Sequence, residues 1–321
     1  MGKTRHIAFC VDDKYARYVA VTIKSIAENF NDNGDKICIH VLTDYISGEM
    51  SHRLHEVTND YGWMSLHIYD VDDSQLQALR TNGWGIYTWY RLLLPSILPQ
   101  DIDKVLYLDA DTIVVDDLRE LFDIDMTDRA LAAVVEDNTF ERKHYDRLGY
   151  DSSKHYVCAG VMMINLTYWR EHHLNEEMIE WATNHRDNIN LLDQDTINYL
   201  CQDNKILLPL RYGIVQFFFT NDSFYELPIL YQLEECIERP AIIHYAYCAP
   251  WQCEAVRHIM HKEWIKYNKM LRHPVRRGYK AKSWLKVKIF LWDMLHFFKN
   301  RAHLTIEDVR AKIIDKKQQL Y

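Results

Sequence analysis

Short apolar runs alternate with amphipathic stretches over the first two-thirds of the chain. Ile7 to Val11 is continuously apolar and stops at Asp12-Asp13, which predicts a strand. Tyr15, Tyr18, Val19, Ile23 and Ile26 then recur at helical spacing. Ile37 to Leu42 predicts a second strand, Ser47 to Asn59 a helix and Leu66 to Val71 a third strand. A helix is expected over Trp89 to Leu94, stopped near Pro95. Val105 to Leu108, Leu131 to Val135, Val161 to Leu166, Ile206 to Leu208 and Ala241 to Ile243 read as further strands, with a helix around Gln194 to Cys201. A last helix from about Ile306 to Lys316 has Thr305 as its N-cap and Glu307 and Asp308 in its first turn. Such alternation predicts an α/β fold, with a mostly parallel central sheet covered on both faces. Ligands of such sheets bind beyond the carboxyl ends of the strands, so acidic residues just after apolar strands matter most.

The strand Val105 to Leu108 runs straight into Asp109-Ala110-Asp111. Side chains alternate with period two along a strand, so two carboxylates one residue apart can point the same way. The pair offers hard oxygen ligands to Mg²⁺ or Mn²⁺, and such an ion grips a diphosphate. Taken alone the pair is equally well read as a solvated turn, since Asp101-Ile102-Asp103 and Asp123-Ile124-Asp125 repeat the pattern. Three other segments supply complementary chemistry. Asp12-Asp13-Lys14-Tyr15 closes the first strand, with a carboxylate for a base N–H and a ring for stacking on a pyrimidine. Asp193-Gln194-Asp195 opens a helix, where polar side chains can hold sugar hydroxyls. His244 ends an apolar strand and is a suitable divalent-metal ligand, although a lone histidine there is more often a satisfied core residue.

From about Ile7 to Trp251 the chain resembles glycosyltransferase family 8. The resemblance rests on ordered motifs: Cys10 to Tyr15, Tyr90-Arg91-Leu92, Lys104 to Asp111, Ala159 to Leu166, Asp193-Gln194-Asp195 and His244-Tyr245. It implies a nucleotide-diphospho-sugar transferase fold of the GT-A type, a UDP-sugar donor, a Mn²⁺ cofactor with Mg²⁺ as the alternative, and retention of anomeric configuration. By that likeness Asp109, Asp111 and His244 bind the metal. Asp12 and Tyr15 hold the uracil, and Arg91 contacts the donor. Asp193 and Gln194 face the sugar and carry the catalytic roles, with Gln194 near the anomeric carbon and Asp193 orienting the ring. Cys10, Lys14, Ala110, Cys158 and Gly160 complete the nucleotide-sugar site. The acceptor is a saccharide or a glycolipid, and glucose or galactose is the expected hexose.

Two departures from the family pattern stand out. Cys158-Ala159-Gly160 replaces the usual Asn-Ala-Gly, which removes an amide suited to a sugar hydroxyl. His244 to Trp251 is one residue shorter than its counterpart and lacks the Gly and the Lys, the latter normally neutralising the leaving diphosphate. Arg257 or a residue of the basic tail is the candidate substitute. Two rival readings therefore stay open: a UDP-sugar-binding protein with weak or no transfer, and a metal-dependent phosphohydrolase or nucleotidyltransferase.

Charge changes the picture near the end of the chain. Residues 265–321 carry 15 Lys+Arg against 4 Asp+Glu, so the net −8 of the whole chain divides into −19 and +11. An acidic body argues against nucleic acid as partner and suits a tail that meets something anionic. The expected division is a catalytic domain over residues 1–264 and a basic, aromatic helical region over 265–321. Ser283 to Lys299 mixes Trp284, Trp292, Phe297 and Phe298 with lysines, the composition of a helix lying on an anionic membrane surface. Packing of that helix onto the body is the alternative. Seven scattered cysteines without a CxxC indicate neither a zinc cluster nor a disulfide framework, and fit reduced thiols. With no signal peptide and no uncharged run long enough to span a bilayer, the expected place is the cytoplasm, at the inner face of the cell membrane.

Overall fold

The computed structural model of the chain describes residues 2–30, 33–136, 142–220, 222–225, 229–246, 249–251, 258–276 and 304–319. The apolar runs become strands: β1 (Thr4–Cys10), β2 (Lys36–Thr43), β3 (Met64–Asp70), β4 (Lys104–Leu108), β5 (Thr112–Val114), β6 (Leu131–Val135), β7 (Val157–Asn165), β8 (Lys205–Leu208) and β9 (Ile242–His244). Seven of them form one sheet in the order β3-β2-β1-β4-β7-β6-β8. Neighbours from β3 to β4 run parallel, as do β6 and β8. β7 alone is reversed, antiparallel to both β4 and β6. The sheet is thus mostly parallel and mixed, the architecture of the GT-A fold.

One face of the sheet is covered by α1 (Asp13–Asn29), whose stripe of Ala16, Val19, Ile23 and Ile26 is buried against it. Asp12 caps this helix by accepting from the Tyr15 N–H at 2.7 Å. The other face packs Trp89, Tyr90, Leu92 and Trp169 against Ala8, Tyr107 and Met162. α1 also fixes a second, two-stranded sheet, β5 against β9. Thr22 Oγ donates to the Thr112 carbonyl at 2.7 Å, and Ser25 Oγ accepts from the Val114 N–H at 3.0 Å. The β5–β9 register then sets Thr112 opposite His244.

Several expected elements are displaced. Val157, not Val161, begins β7, and Leu166 opens the next helix instead of ending the strand. Trp89 to Leu93 lies on a 3₁₀ helix (Ile86–Leu93), and Leu94 and Pro95 open the short α-helix Leu94–Ile97 that follows. Proline lacks only an N–H that is unpaired in a first turn anyway, so it starts this helix where a stop was expected.

The packed body runs past residue 264. The helix His261–Met270 crosses that position with Trp264 and Tyr267 buried, and the Asn29 amide donates to the Tyr267 hydroxyl at 2.8 Å. The helix Ile306–Gln318 starts at a Thr305–Asp308 capping box. It buries Val309 and Ile313 and places Lys317 Nζ 2.6 Å from Glu234. The expected helix from Ser283 to Lys299 lies outside the described residues. Among the described residues, no helix is long and apolar enough to cross a membrane.

Candidate active site

β4 delivers Asp109 and Asp111 into the tight turn before β5, beyond the carboxyl end of the central strand. Oδ1 of Asp109 is held by the Tyr107 hydroxyl at 2.7 Å and by Arg91 Nη2 at 3.1 Å. Its other oxygen, Oδ2, lies 3.7 Å from His244 Nε2, and Oδ1 of Asp111 lies 3.2 Å from the same nitrogen. One ligand atom from each of the three residues falls within 4.8 Å of the others. β9 supplies His244, and the Tyr245 N–H closes the arrangement by donating to the Asp111 carbonyl at 2.9 Å. Gly160 leaves room for this group, because a Cβ there would stand 2.3 Å from His244 Cε1 and 2.7 Å from Asp109 Oδ2. Burial opposes a charge on His244, yet Asp111 and then Cys158 outweigh it and raise its pKa well above the ordinary value. The carboxylates therefore demand a positive charge at this point, which either a proton or a cation can provide. Cys158 faces the opposite edge of the same ring, with Sγ 3.6 Å from Nδ1.

Arg91 is the buried brace of the site. Nη1 donates to the Ala159 carbonyl at 2.6 Å, Nε to the Thr88 carbonyl at 3.0 Å, and its guanidinium lies over the Tyr107 ring at 4.2 Å. Burial works against its charge, but Asp193, Tyr107 and Asp109 more than offset this and raise its pKa. Asp193 Oδ2 is 3.0 Å from Arg91 Nε but off its N–H direction, so this buried oxygen has no hydrogen-bond donor. Burial pushes the Asp193 carboxyl up to about 7, against the pull of Arg91. Gln194 Oε1 accepts from the Ala159 N–H at 2.9 Å, which ties the helix Leu192–Leu200 to β7. Leu192 takes a left-handed conformation (φ 50°), the turn by which the chain swings Asp193 and Gln194 toward β7. Asp195 turns the other way. It is fully buried and accepts from both Arg147 Nη atoms, the Tyr156 hydroxyl and the N–H groups of Asn190 and Leu191, at 2.7–3.0 Å. Of the three polar residues of this segment, Asp195 is the one whose lone pairs are already occupied, while Asp193 and Gln194 are the two on the cavity side.

A cavity of about 400 Å³ opens beside these groups. Its walls include Cys10, Tyr15, Arg91, Asp109, Ala110 and Asp111 from the first half of the chain. Cys158, Gly160, Asp193, Gln194 and His244 complete the expected set that meets there. Asp12 and Lys14 do not line it: Asp12 is engaged as the α1 cap, and Lys14 is exposed with Nζ 5.9 Å from the centre of the Tyr15 ring. Sequence reasoning did not single out the aromatic wall formed by Trp84, Tyr87 and Trp251. Tyr87 stands 5.9 Å from Tyr15 between ring centres, and Trp251 stacks on Tyr18 at 3.7 Å. Trp84 is half exposed in a short Asn-Gly-Trp-Gly stretch, and an aromatic in so polar a loop was the available signal. Arg257 lies outside the described residues.

The profile of the family described as Glycosyl transferase family 8 matches residues 6–255. The chain is 29% identical over 217 residues to a lipopolysaccharide 1,2-glucosyltransferase of Escherichia coli, a match covering 66% of this chain and 63% of that one. It is 26% identical over 270 residues to general stress protein A of Bacillus subtilis strain 168, covering 82% and 92%. Its fold superposes on the galactosyltransferase LgtC, solved in complex with donor and acceptor sugar analogues, with a TM-score of 0.71 and 24% identity over 88% of this chain and 99% of that one. The family profile spans most of the chain and takes in the carboxylate turn, β7 and His244, and on that ground the chain belongs to glycosyl transferase family 8.

Proposed function

We propose that the chain is a retaining hexosyltransferase that moves glucose or galactose from a UDP-sugar to a saccharide or glycolipid acceptor, with Mn²⁺ as cofactor. The observation that carries this reading is the convergence of Asp109, Asp111 and His244 at the edge of an aromatic-walled cavity. Lipopolysaccharide glucosyl- and galactosyltransferases among the relatives support an acceptor of lipopolysaccharide type.

The donor set fits a divalent ion. Two carboxylates and an imidazole suit Mn²⁺, and Gly160 keeps the space beside them clear. Asp109, Asp111 and His244 would hold the ion, which supplies positive charge against a diphosphate leaving group. Tyr107 and Arg91 anchor one oxygen of Asp109, so the other is aimed and its geometry is set before any ligand arrives. The donorless oxygen of Asp193 is positioned to accept from a sugar hydroxyl, which relieves a buried unsatisfied group. Tyr15 and Tyr87 offer faces for a base. In the overall reaction the sugar's bond to the diphosphate oxygen breaks, a bond to the acceptor oxygen forms, and the acceptor's proton leaves. Retention is consistent with a covalent carboxylate intermediate and with front-face attack.

The test is a donor screen. UDP-glucose and UDP-galactose should release UDP in the presence of Mn²⁺, faster with a saccharide acceptor, and chelation should stop the reaction. Preference for GDP- or ADP-sugars, or turnover indifferent to chelation, would refute the reading. A second reading, UDP-sugar binding with weak transfer, is favoured by one observation: among the described cavity-lining residues Arg91 is the sole Lys or Arg. Calorimetric binding of UDP-hexose without product under any acceptor would select it.

The basic segment after residue 276 extends the proposal to an anionic membrane surface, at about 1 kcal/mol per Lys or Arg near the headgroups. Salt-sensitive co-sedimentation with anionic vesicles, lost when residues 277–303 are replaced by a neutral linker, is the expected outcome. Equal pelleting of both forms would reject it.

A further inference from the structure

A second cluster of ligating side chains lies on the opening half of the sheet, away from the cavity. His6 is on β1 and Cys38 on β2, directly opposite each other in the parallel register. His40 is two residues beyond Cys38 and so shares its face. Cys10, at the cavity end of β1, is four residues on, or about 13 Å along the strand. His6 Nδ1 and His40 Nε2 are 3.0 Å apart, and the Cys38 sulfur completes a set of ligand atoms all within 4.8 Å of one another. The other ring nitrogen of His40, Nδ1, lies 3.0 Å from the Tyr69 hydroxyl, which fixes the ring with Nε2 turned to the cluster. Cys38 and His40 are buried, His6 is half-buried, and His67 and Ser65 on β3 are exposed beside them, leaving an entrance from solvent.

We propose that His6, Cys38 and His40 bind a soft divalent transition-metal ion, Zn²⁺ in the first place, at a site separate from the carboxylate turn. Zinc bonds of about 2.0–2.1 Å to nitrogen and about 2.3 Å to sulfur place tetrahedral ligand atoms roughly 3.3–3.7 Å apart. The His6–His40 contact would open slightly from 3.0 Å, and the Cys38 sulfur, within 4.8 Å of both nitrogens, would close to that spacing. Binding exchanges the Cys38 S–H bond for a sulfur–metal bond and releases the proton to solvent. The proton shared between His6 Nδ1 and His40 Nε2 would shift to the other nitrogen of the ring that carries it, so that each imidazole offers a lone pair in place of their mutual hydrogen bond. Burial lowers the pKa of both histidines, that of His40 to about 3, so neither carries a competing second proton near neutral pH. A fourth ligand, such as water, would complete a tetrahedral set. Two nitrogens and a thiolate favour zinc over Mg²⁺ or Mn²⁺, while the oxygen-rich Asp109–Asp111–His244 set favours the latter pair. A single chain thus carries two sites with opposite ion preferences. The sulfur–zinc and nitrogen–zinc bonds would cross-link β1 to β2, with Tyr69 tying in β3.

Titration of the full chain with Co²⁺, followed by thiolate-to-cobalt charge-transfer absorption, tests the site. One ion per chain should give the band, Zn²⁺ should displace it, and Mn²⁺ should not. Because Cys158 touches His244, Cys158→Ser serves as the control and should keep the band. Cys38→Ser should abolish it. His6→Gln, at a half-buried position that the fold can tolerate, should weaken Co²⁺ binding at least about tenfold with an unchanged circular dichroism spectrum. Tyr69→Phe should weaken it about tenfold, the usual effect of losing a group that orients a ligand. Absence of the band in the unaltered chain, its survival in Cys38→Ser or its loss in Cys158→Ser would overturn the proposal and leave the cluster as hydrogen-bonded packing.

Discussion

Asp193 and Asp195 are two residues apart on one helix, yet they belong to regions built on different terms. Around Asp195 each carboxylate oxygen is met by donors from Arg147, Tyr156 and two backbone N–H groups. Around Asp193, Asp109 and Asp111 a buried carboxylate oxygen lacks a donor, and Asp111 and Cys158 draw His244 toward its charged form against burial. A saturated buried carboxylate holds the chain in place. An unsaturated one beside a cavity gains its missing donor only when something enters.

Four measurements break or sharpen that contrast. The largest effect is expected on the saturated side. Asp195→Ala removes the shared acceptor of Arg147, the Tyr156 hydroxyl and two backbone N–H groups, so denaturant unfolding should show a loss of about 3–5 kcal/mol. An unchanged midpoint would erase the distinction. On the cavity side, Asp111→Asn should leave the unfolding midpoint near its original value and lower donor turnover about 10²- to 10³-fold. Near-normal turnover would remove the carboxylate turn from the mechanism. Gly160→Ala should act between the two regions. Its new methyl displaces His244, and Mn²⁺ affinity, measured by calorimetry, should fall about tenfold while the fold persists.

The last effect vanishes at neutral pH and is read as a slope in acid; it concerns His258, a neutral buried imidazole beneath β9. Burial lowers its pKa from 6.5 to about 3, with the Ile214 carbonyl pulling the other way. Its Nδ1 accepts from the Met260 N–H at 3.1 Å, so a second proton has no place in the folded state. The folded pKa lies below the unfolded one. Stability from this group is therefore complete above pH 6.5 and is lost as pH falls toward about 3, by up to about 1.4 kcal/mol per pH unit. Replacing His258 by Gln should flatten the acid limb of stability against pH, and an unaltered limb would show that other groups set it.

Much of the architecture was legible because a fully apolar strand such as Val105 to Leu108 has one reading, and the acidic turn after it inherits its place from the strand. Strand direction was not legible: the buried run of β7 reads the same forwards and reversed, and only its pairing makes it antiparallel. β5, at three residues, is too short for periodicity to register, yet its pairing with β9 is what carries His244 to the aspartates. The Asp193-Gln194-Asp195 segment looked uniform until the αL turn at Leu192 and the donors of Arg147 divided it. His6, Cys38 and His40 escaped the cysteine-spacing argument for a related reason. Their proximity comes from the register of β1 with β2, which no linear spacing motif expresses.

The helix Ile306–Gln318, docked on the body by Val309, Ile313 and the Lys317–Glu234 pair, has a consequence for the basic segment before it. Val275 is also buried in the same body, so both ends of residues 277–303 are moored. The described chain on either side of that segment is therefore fixed to the body at two points. The entropy of closing a loop grows only with the logarithm of its length, about 0.6 kcal/mol for each doubling. Its length can therefore drift with little penalty to the folded body, and any surface it grips is gripped between two fixed points. Two-point mooring of that kind would set the heading of the cavity as well as its distance from that surface.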